Sequence, residues 1–311
     1  MKIKILRMSA FLLLLIIVLS SCGEASEGIG TLDTTFNEST APITEETALV
    51  STKPVVSDKG LKKVNIGGAI ITDGGDNCEV QTITNTPKSL YDSYLTELSD
   101  EGFYIYTNNK ISDNYFSTYV SENSVVNVIY STYNKTLKVI TDPIESTALP
   151  DLYTGYNYTK TCEPLAISVG LAPDDETVDK NGLCYIFRLE DGSFIVYDGG
   201  WDKKTNNMAE KIYSVLKMNA EDTENIVIAA WIITHAHTDH CGGFKTFTAA
   251  YGSKVKVERI IYNNPCAKFQ SQTNMAEKIQ DFLSFVAKYP DADIIKAHPG
   301  QKLYLPGANV E

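Results

Sequence analysis

The side chains whose types and spacing could bind a metal ion are concentrated in the short segment Thr234–Gly243. Three of the chain's four histidines lie there within six positions, together with an aspartate; these residues are His235, His237, Asp239 and His240. Imidazole and carboxylate groups suit Zn²⁺, with Mn or Fe as alternatives. The competing interpretation is a set of solvated loop histidines, but the scarcity of histidine elsewhere argues against it. The spacing therefore predicts a metal site.

The histidine segment directly follows the apolar run Ile226–Ile233, which predicts a buried strand. Side chains alternate along extended backbone, so the first two histidines and Asp239 should project to one side. His240 is out of phase with them. A turn into a helix at Gly242 and Gly243 would swing its imidazole back toward the same cavity, and the glycines allow close backbone approach. One short loop can then serve two adjacent metal ions that share a hydroxide nucleophile.

The pattern His-x-His-x-Asp-His followed by Gly-Gly, after an apolar strand ending in Thr234, resembles the metallo-β-lactamase superfamily of metal-dependent hydrolases. Upstream, the strand Ser193–Tyr197 leads into Asp198-Gly199, which is similar to the superfamily's first motif, and the two motifs come in the family's order. The resemblance covers about residues 181–311. It implies an αββα sandwich of α/β (α+β) class, usually with two zinc ions, and hydrolysis by a metal-bound hydroxide as the commonest chemistry.

The resemblance also implies a role for each matching residue. His235 and His237 would bind one metal ion, and Asp239 and His240 the other. Asp239 would also accept a hydrogen bond from the nucleophile. Asp198 would not bind metal but would orient a ligand imidazole or the histidine loop. The alternative for Asp198 is an ordinary turn carboxylate.

Two ligands for each ion make an incomplete site. The family takes a third histidine, a bridging aspartate and a last histidine from later segments. His298 is the one candidate left, but it precedes the predicted hairpin Gln301–Gly307, whereas the family's ligand usually follows such a hairpin. We therefore expect His298 to be an exposed or capping residue. The same reasoning predicts that only the N-terminal half of the sandwich is present, that the chain is truncated at Glu311, and that activity is uncertain.

The first residues have the layout of a bacterial export signal. Basic residues precede the apolar stretch Phe11–Leu19, and the tetrad Leu19–Cys22 resembles the lipobox, which implies cleavage before Cys22 and lipidation of its thiol. The alternative is a simple signal peptide with an incidental cysteine. We expect a lipoprotein anchored to the cell membrane on its extracytoplasmic face.

The composition along the chain predicts five segments. They are a signal peptide (1–21), a disordered tether rich in Ser, Thr, Glu and Gly (22–59), a small α+β accessory domain (60–145), a linker segment (146–180) and the metallo-β-lactamase-like domain, incomplete at its C-terminus (181–311). In the accessory domain the apolar spacing predicts a helix over Lys88–Asp100 and strands that include Ile66–Ile71. Its tyrosines are read as half-buried strand residues rather than as a sugar- or peptide-binding face.

The formal net charge of −12 and the pI near 4.9 oppose non-specific binding to nucleic acid. The expected substrate is a small molecule or a phosphodiester, and no oligomeric state is predicted. No CxxC pair occurs, and Cys241 is read as a packing residue rather than a soft ligand. A redox function like that of flavodiiron proteins is disfavoured, because their motif usually has Glu where this chain has His237. A non-catalytic cell-surface binding module with a degenerate metal site remains the alternative function.

Overall fold

The computed structural model describes residues 61–75, 77–149, 158–169, 183–201, 207–265, 270 and 275–305. The predicted signal peptide, the tether and the lipidation site Cys22 lie outside these residues. Within them the chain forms two β-sheets with helices packed against them. This mixed architecture confirms the predicted α/β (α+β) class.

The first sheet is antiparallel, with strand order β1-β2-β6-β5-β4-β3. Its strands are β1 Ile70–Gly75, β2 Cys78–Ile83, β3 Tyr104–Ile111, β4 Asn114–Val120, β5 Ser124–Ser131 and β6 Thr136–Pro143. Helix α1, Lys88–Asp100, covers one face and buries Tyr91, Tyr94 and Leu98 against it. The other face carries Phe116, Asn127 and Asp142, as the strand registers show.

The predicted helix over Lys88–Asp100 is confirmed at both ends. The predicted strand Ile66–Ile71 is wrong in its start, because β1 begins at Ile70. The amide of Ala69 donates to the carbonyl of Ile66 and closes a turn in which Gly68 has a φ of 78°. Glycine adopts this left-handed conformation without a steric penalty, so the chain turns where apolar spacing alone suggested a strand.

The second sheet is mixed, with strand order β13-β12-β10-β9-β8-β7 and β11 paired to β10. Its strands are β7 Leu165–Ser168, β8 Tyr185–Arg188, β9 Phe194–Tyr197, β10 Ile226–Ile232, β11 Val255–Val257, β12 Arg259–Tyr262 and β13 Asp293–Lys296. Strand β7 falls inside the segment predicted as a linker, and it pairs with β8. In the described part of the predicted hairpin Gln301–Gly307, the structure has a single bridge residue, Leu305.

Three of the described helices cover one face of the second sheet: α2 Met208–Asn219, α3 Thr238–Tyr251 and α4 Ala276–Val286. They bury Ile212, Phe244 and Phe282 against the strands in the main core cluster. A smaller cluster that includes Ile195 and Ile295 lies on the opposite face. Among the described residues, no helix is both long and apolar enough to cross a membrane.

Strands β9, β10, β12 and β13 are parallel to one another. Their carboxyl ends therefore meet at a single edge of the sheet, the position where α/β proteins usually place their sites. Asp198 follows β9 and the histidine segment follows β10 at this edge. We refer to it below as the site edge.

Candidate functional site

A strained turn directly after β9 forms the base of the site. Asp198 is fully buried and has a φ of 55°, the left-handed conformation that Asp tolerates better than most residues. Its amide donates to the carbonyl of Ile232 at 2.7 Å, and its carbonyl accepts a hydrogen bond from Trp231 Nε1 at 3.2 Å. The turn is thereby anchored to β10, the strand that leads into the histidines.

Helix α3 packs with its first turns directly on the Asp198–Gly200 turn. The amide of Gly199 donates to the carbonyl of His240 at 2.6 Å, and the amide of Gly243 donates to the carbonyl of Gly200 at 3.0 Å. A Cβ on Gly243 would collide with the Gly199 carbonyl, and a Cβ on Gly199 would collide with the backbone of α3. Both glycines are therefore required for this backbone approach.

The predicted start of the helix at Gly243 is wrong. Helix α3 begins at Thr238, with His237 as its extended N-cap residue, and the amide of Cys241 donates to the His237 carbonyl at 2.8 Å. Asp239 lies in the first helical turn, where the helix dipole favours a negative charge. Strand alternation therefore ends at His237, and it does not explain the position of Asp239.

The carboxylate of Asp198 connects the histidine segment to the turn. It accepts hydrogen bonds from the Thr234 amide at 2.8 Å and from the Thr234 hydroxyl at 2.9 and 3.0 Å, and its Oδ2 lies 2.8 Å from His240 Nδ1. Asp198 therefore contacts an imidazole of the cluster, as expected of an orienting residue. Its catalytic role stays a prediction.

The hydrogen bonds favour one tautomer for two of the imidazoles. A Thr234 hydroxyl that donates to Asp198 can only accept from His235 Nδ1, which lies 3.0 Å away. Nδ1 of His240 also carries its ring hydrogen, which it donates to the Asp198 carboxylate. The Nε2 atoms of His235 and His240 then carry free lone pairs, which is the form that binds a metal ion.

The electrostatics of these two imidazoles differ. Burial lowers the pKa of His235, and the neighbouring His240 and His237 lower it further, so the neutral ligand form is favoured. The hydrogen bond to Asp198 raises the pKa of His240 and outweighs the opposing effect of burial. His240 is thus the more basic imidazole of the pair.

The structure brings the four predicted ligands together at the site edge. The ring centroid of His235 lies 4.6 Å from that of His237 and 4.0 Å from that of His240, and His240 Nε2 lies 3.7 Å from Asp239 Oδ2. The donor chemistry fits a divalent metal ion. However, no three His, Cys, Asp or Glu side chains in the described ranges are arranged to hold one. The ligand assignment stays a prediction.

Two other residues considered as ligands lie outside this cluster. His298 is buried, and its Nε2 lies 2.7 Å from Asp142 Oδ2, so the prediction of an exposed histidine is wrong. Cys241 is 1% exposed, and burial raises the pKa of its thiol to about 11, as expected of a packing residue. A cavity of about 330 Å³ lies at the opposite, amino end of β10, beside Ile226 and Asn225. Because it lacks the histidines, we place the site at the histidine segment instead.

Sequence reasoning treated Thr234 only as the end of a strand, although its hydroxyl touches Asp198 and two imidazoles. Its position directly before His-x-His was the available signal. In comparisons with known proteins, residues 178–306 match the family model of the metallo-beta-lactamase superfamily. No protein of curated function matches the chain.

Proposed function

We propose that the protein is a metal-dependent hydrolase of an ester, phosphodiester or related bond, since residues 178–306 match the family model of the metallo-beta-lactamase superfamily. The observation that carries the proposal is the network of Asp198 and Thr234, which engages Nδ1 of His235 and of His240 and leaves both Nε2 atoms available to a metal ion. The order of the two motifs in the sequence supports it.

The residues that would hold metal are His235, His237, Asp239 and His240. Zinc is the first candidate, with up to two ions, and Mn or Fe are alternatives. A bound divalent ion lowers the pKa of water and polarises a carbonyl or phosphoryl oxygen. Asp239 would both bind metal and accept a hydrogen bond from the attacking water.

The remaining residues position these ligands. Asp198 fixes the ring of His240, and Thr234 fixes the ring of His235. The N-terminus of α3 lies in the same cluster, so the helix dipole favours the negative charge that develops as a carbonyl or phosphoryl group is attacked. The substrate would be a small molecule or a phosphodiester.

Metal content and turnover of the purified chain test this function. We expect wild-type protein to retain zinc and to hydrolyse p-nitrophenyl ester or phosphodiester substrates in a metal-dependent manner. His237→Ala should lose turnover and at least part of the metal, because the imidazole donates an electron pair to the ion. His298→Ala is the matched control for metal content, since its side chain lies outside the cluster. Unchanged turnover in His237→Ala would count against the assignment.

A non-catalytic cell-surface binding module is the second candidate function. The lack of three convergent ligands within the described residues favours it, because a degenerate site would look the same. The two functions differ in metal content. About two zinc ions per chain support the hydrolase, whereas a well-folded, metal-free protein supports the binding module.

We also propose that the protein is exported and anchored to the extracytoplasmic face of the cell membrane through lipidated Cys22. The lipobox-like tetrad Leu19–Cys22 supports this location. Cys22→Ala should abolish the incorporation of labelled palmitate and release the protein from the membrane fraction. Retention of the label in this variant would refute the anchor.

A further inference from the structure

A buried ion cluster joins the two sheets. Asp142, near the end of β6, is fully buried; its Oδ1 lies 2.8 Å from Lys296 Nζ and its Oδ2 lies 2.7 Å from His298 Nε2. The side chains of Lys296 and His298 are only 7% and 6% exposed. A carboxylate this deeply buried requires such partners, because an unpaired buried charge is strongly destabilising.

The contact extends beyond the charges. After Asp142 the chain runs beside β13, where Thr147 Oγ1 accepts a hydrogen bond from the Lys296 amide at 3.0 Å and the Ala148 amide donates to the Ile294 carbonyl at 2.7 Å. This segment lies along the edge of β13 opposite β12 and forms hydrogen bonds with its backbone there.

The hairpin of β3 and β4 contacts the turn that follows His298. Asn109 Nδ2 donates to the Gly300 carbonyl at 3.2 Å, and a Cβ on Gly300 would collide with the ring of Phe116. Gly300 also has a φ of 76°, which favours glycine. The first sheet is therefore closely packed against the second at this turn.

The strand register places this contact beside the histidine segment. Ile232 pairs with Ile261, and Ile261 pairs with Ile295. His235 comes three residues after Ile232 and His298 three residues after Ile295, so both leave the sheet from the same register level. Strands β10 and β13 are two strand spacings apart, about 10 Å. The first sheet is thus docked on the site edge.

We infer that the domain formed by β1–β6 and α1 is one wall of the substrate cleft, and that the Asp142–Lys296–His298 cluster holds this wall in place. The inference rests on the proposed hydrolase function. It makes His298 a positioning residue rather than the missing metal ligand. The wall limits the size of the substrate that can reach the histidine segment, because the docked domain occupies one side of the site edge.

Asp142→Asn tests the docking, because it removes the charge while keeping the shape. We expect a larger radius of gyration in small-angle scattering and two thermal unfolding transitions in place of one, with zinc content unchanged. We also expect kcat/KM for a bulky p-nitrophenyl ester to rise about tenfold relative to a small ester, because a displaced wall no longer excludes the larger substrate and pocket shape commonly discriminates by about 10- to 200-fold. Asp92→Asn, which breaks the exposed pair with Lys88 in the same domain, is the matched control and should change none of these quantities.

Asn109→Ala removes only the hydrogen bond to the Gly300 carbonyl. It should shift the preference between the bulky and the small ester in the same direction as Asp142→Asn but by less, and it keeps the test available if Asp142→Asn fails to fold. Unchanged scattering and a single transition in folded Asp142→Asn would overturn the docking role. Loss of zinc in His298→Ala would make His298 a ligand and overturn its positioning role. If the domains separate in Asp142→Asn but the preference between the bulky and the small ester stays unchanged, the first domain is not a wall of the substrate cleft. If wild-type protein binds no metal and hydrolyses neither ester, the proposed function and the wall both fail, and the scattering data still decide the docking.

Discussion

In the part of the chain that the structure describes, two buried aspartates each contact a histidine ring with nearly the same local geometry but in different surroundings. Asp198 and Asp142 both have no exposed surface, and each lies at or just after the end of a strand. Asp198 lies 2.8 Å from a nitrogen of His240, and Asp142 lies 2.7 Å from a nitrogen of His298. Only the first pair belongs to the histidine segment.

The two pairs differ in which ring nitrogen is used and in what else the carboxylate touches. Asp198 contacts Nδ1 of His240, leaves Nε2 toward the cluster, and takes its other hydrogen bonds from the neutral groups of Thr234. Asp142 contacts Nε2 of His298 and is also ion-paired with Lys296. A carboxylate beside an imidazole is therefore not by itself the mark of a metal site. Two features distinguish a histidine that can bind metal from one in a structural contact. They are the ring nitrogen that stays free, and whether a cation such as Lys296 already balances the charge of the carboxylate.

Metal affinity should respond to only one of the two pairs. The Thr234 amide and His240 Nδ1 donate to different oxygens of Asp198. Asp198→Asn replaces one of these oxygens by an NH₂ donor, so one of the two hydrogen bonds is lost and the imidazole loses its orientation. We expect zinc affinity to fall about 10- to 100-fold, as for other residues that orient a ligand. A competition titration with a chromogenic chelator measures this. Asp142→Asn breaks the equivalent contact in the other pair and should leave the affinity unchanged; equal losses in both variants would remove the distinction.

Stability in acid should depend on the interface pair. Burial alone would raise the pKa of Asp142, but the hydrogen bond from His298 and the charges of His298 and Lys296 outweigh it and lower the pKa from 3.8 to about 2. A lowered pKa stabilises the folded state fully above pH 3.8, and the stabilisation is lost as the pH falls through about 2. The contribution is about 2 kcal/mol.

Urea unfolding of wild type and Asp142→Asn between pH 2 and pH 6 isolates this contribution. The difference in free energy of unfolding between the two proteins should shrink as the pH falls through that window. Other carboxylates titrate in both proteins and cancel in the difference. A difference that stays constant with pH would show that Asp142 is not held ionised by its partners.

The parts of the structure that depend on local pattern were predictable from the sequence. The helix over Lys88–Asp100 follows from apolar spacing, and the proximity of Asp198 to the histidine segment follows from two short motifs at strand ends. The start of α3 was missed, because Gly242 and Gly243 suggest a turn in the sequence, whereas in the fold they lie inside the helix and Gly243 packs against Gly199, far away in the chain.

The burial of His298 was even less accessible to sequence reasoning. Its partner, Asp142, is 156 residues away and belongs to the other sheet, so no local spacing connects them. A lone histidine beside Pro299 and Gly300 has the composition of an exposed turn. Only the docking of the first sheet turns that position into an interior one. Long-range contacts of this kind account for the error.

Thr234 provides the smallest and most local test of the comparison, because its single hydroxyl joins Asp198 to His235. Thr234→Val keeps the side-chain shape and the backbone amide but removes the hydroxyl that donates to Asp198 and accepts from His235. We expect a loss of about 1 to 2 kcal/mol in the free energy of unfolding, since a hydrogen bond to a buried charged group is removed. Zinc affinity should fall less than in Asp198→Asn, because the contact between Asp198 and His240 remains.

Two further variants serve as controls. Thr234→Ser should restore both the stability and the zinc affinity. Thr248→Val removes a buried hydroxyl that donates to the Phe244 carbonyl within α3, and it should leave zinc affinity unchanged. If Thr234→Ser fails to restore the zinc affinity, the hydroxyl does not position His235, and Asp198 would be the residue that orients the ligands.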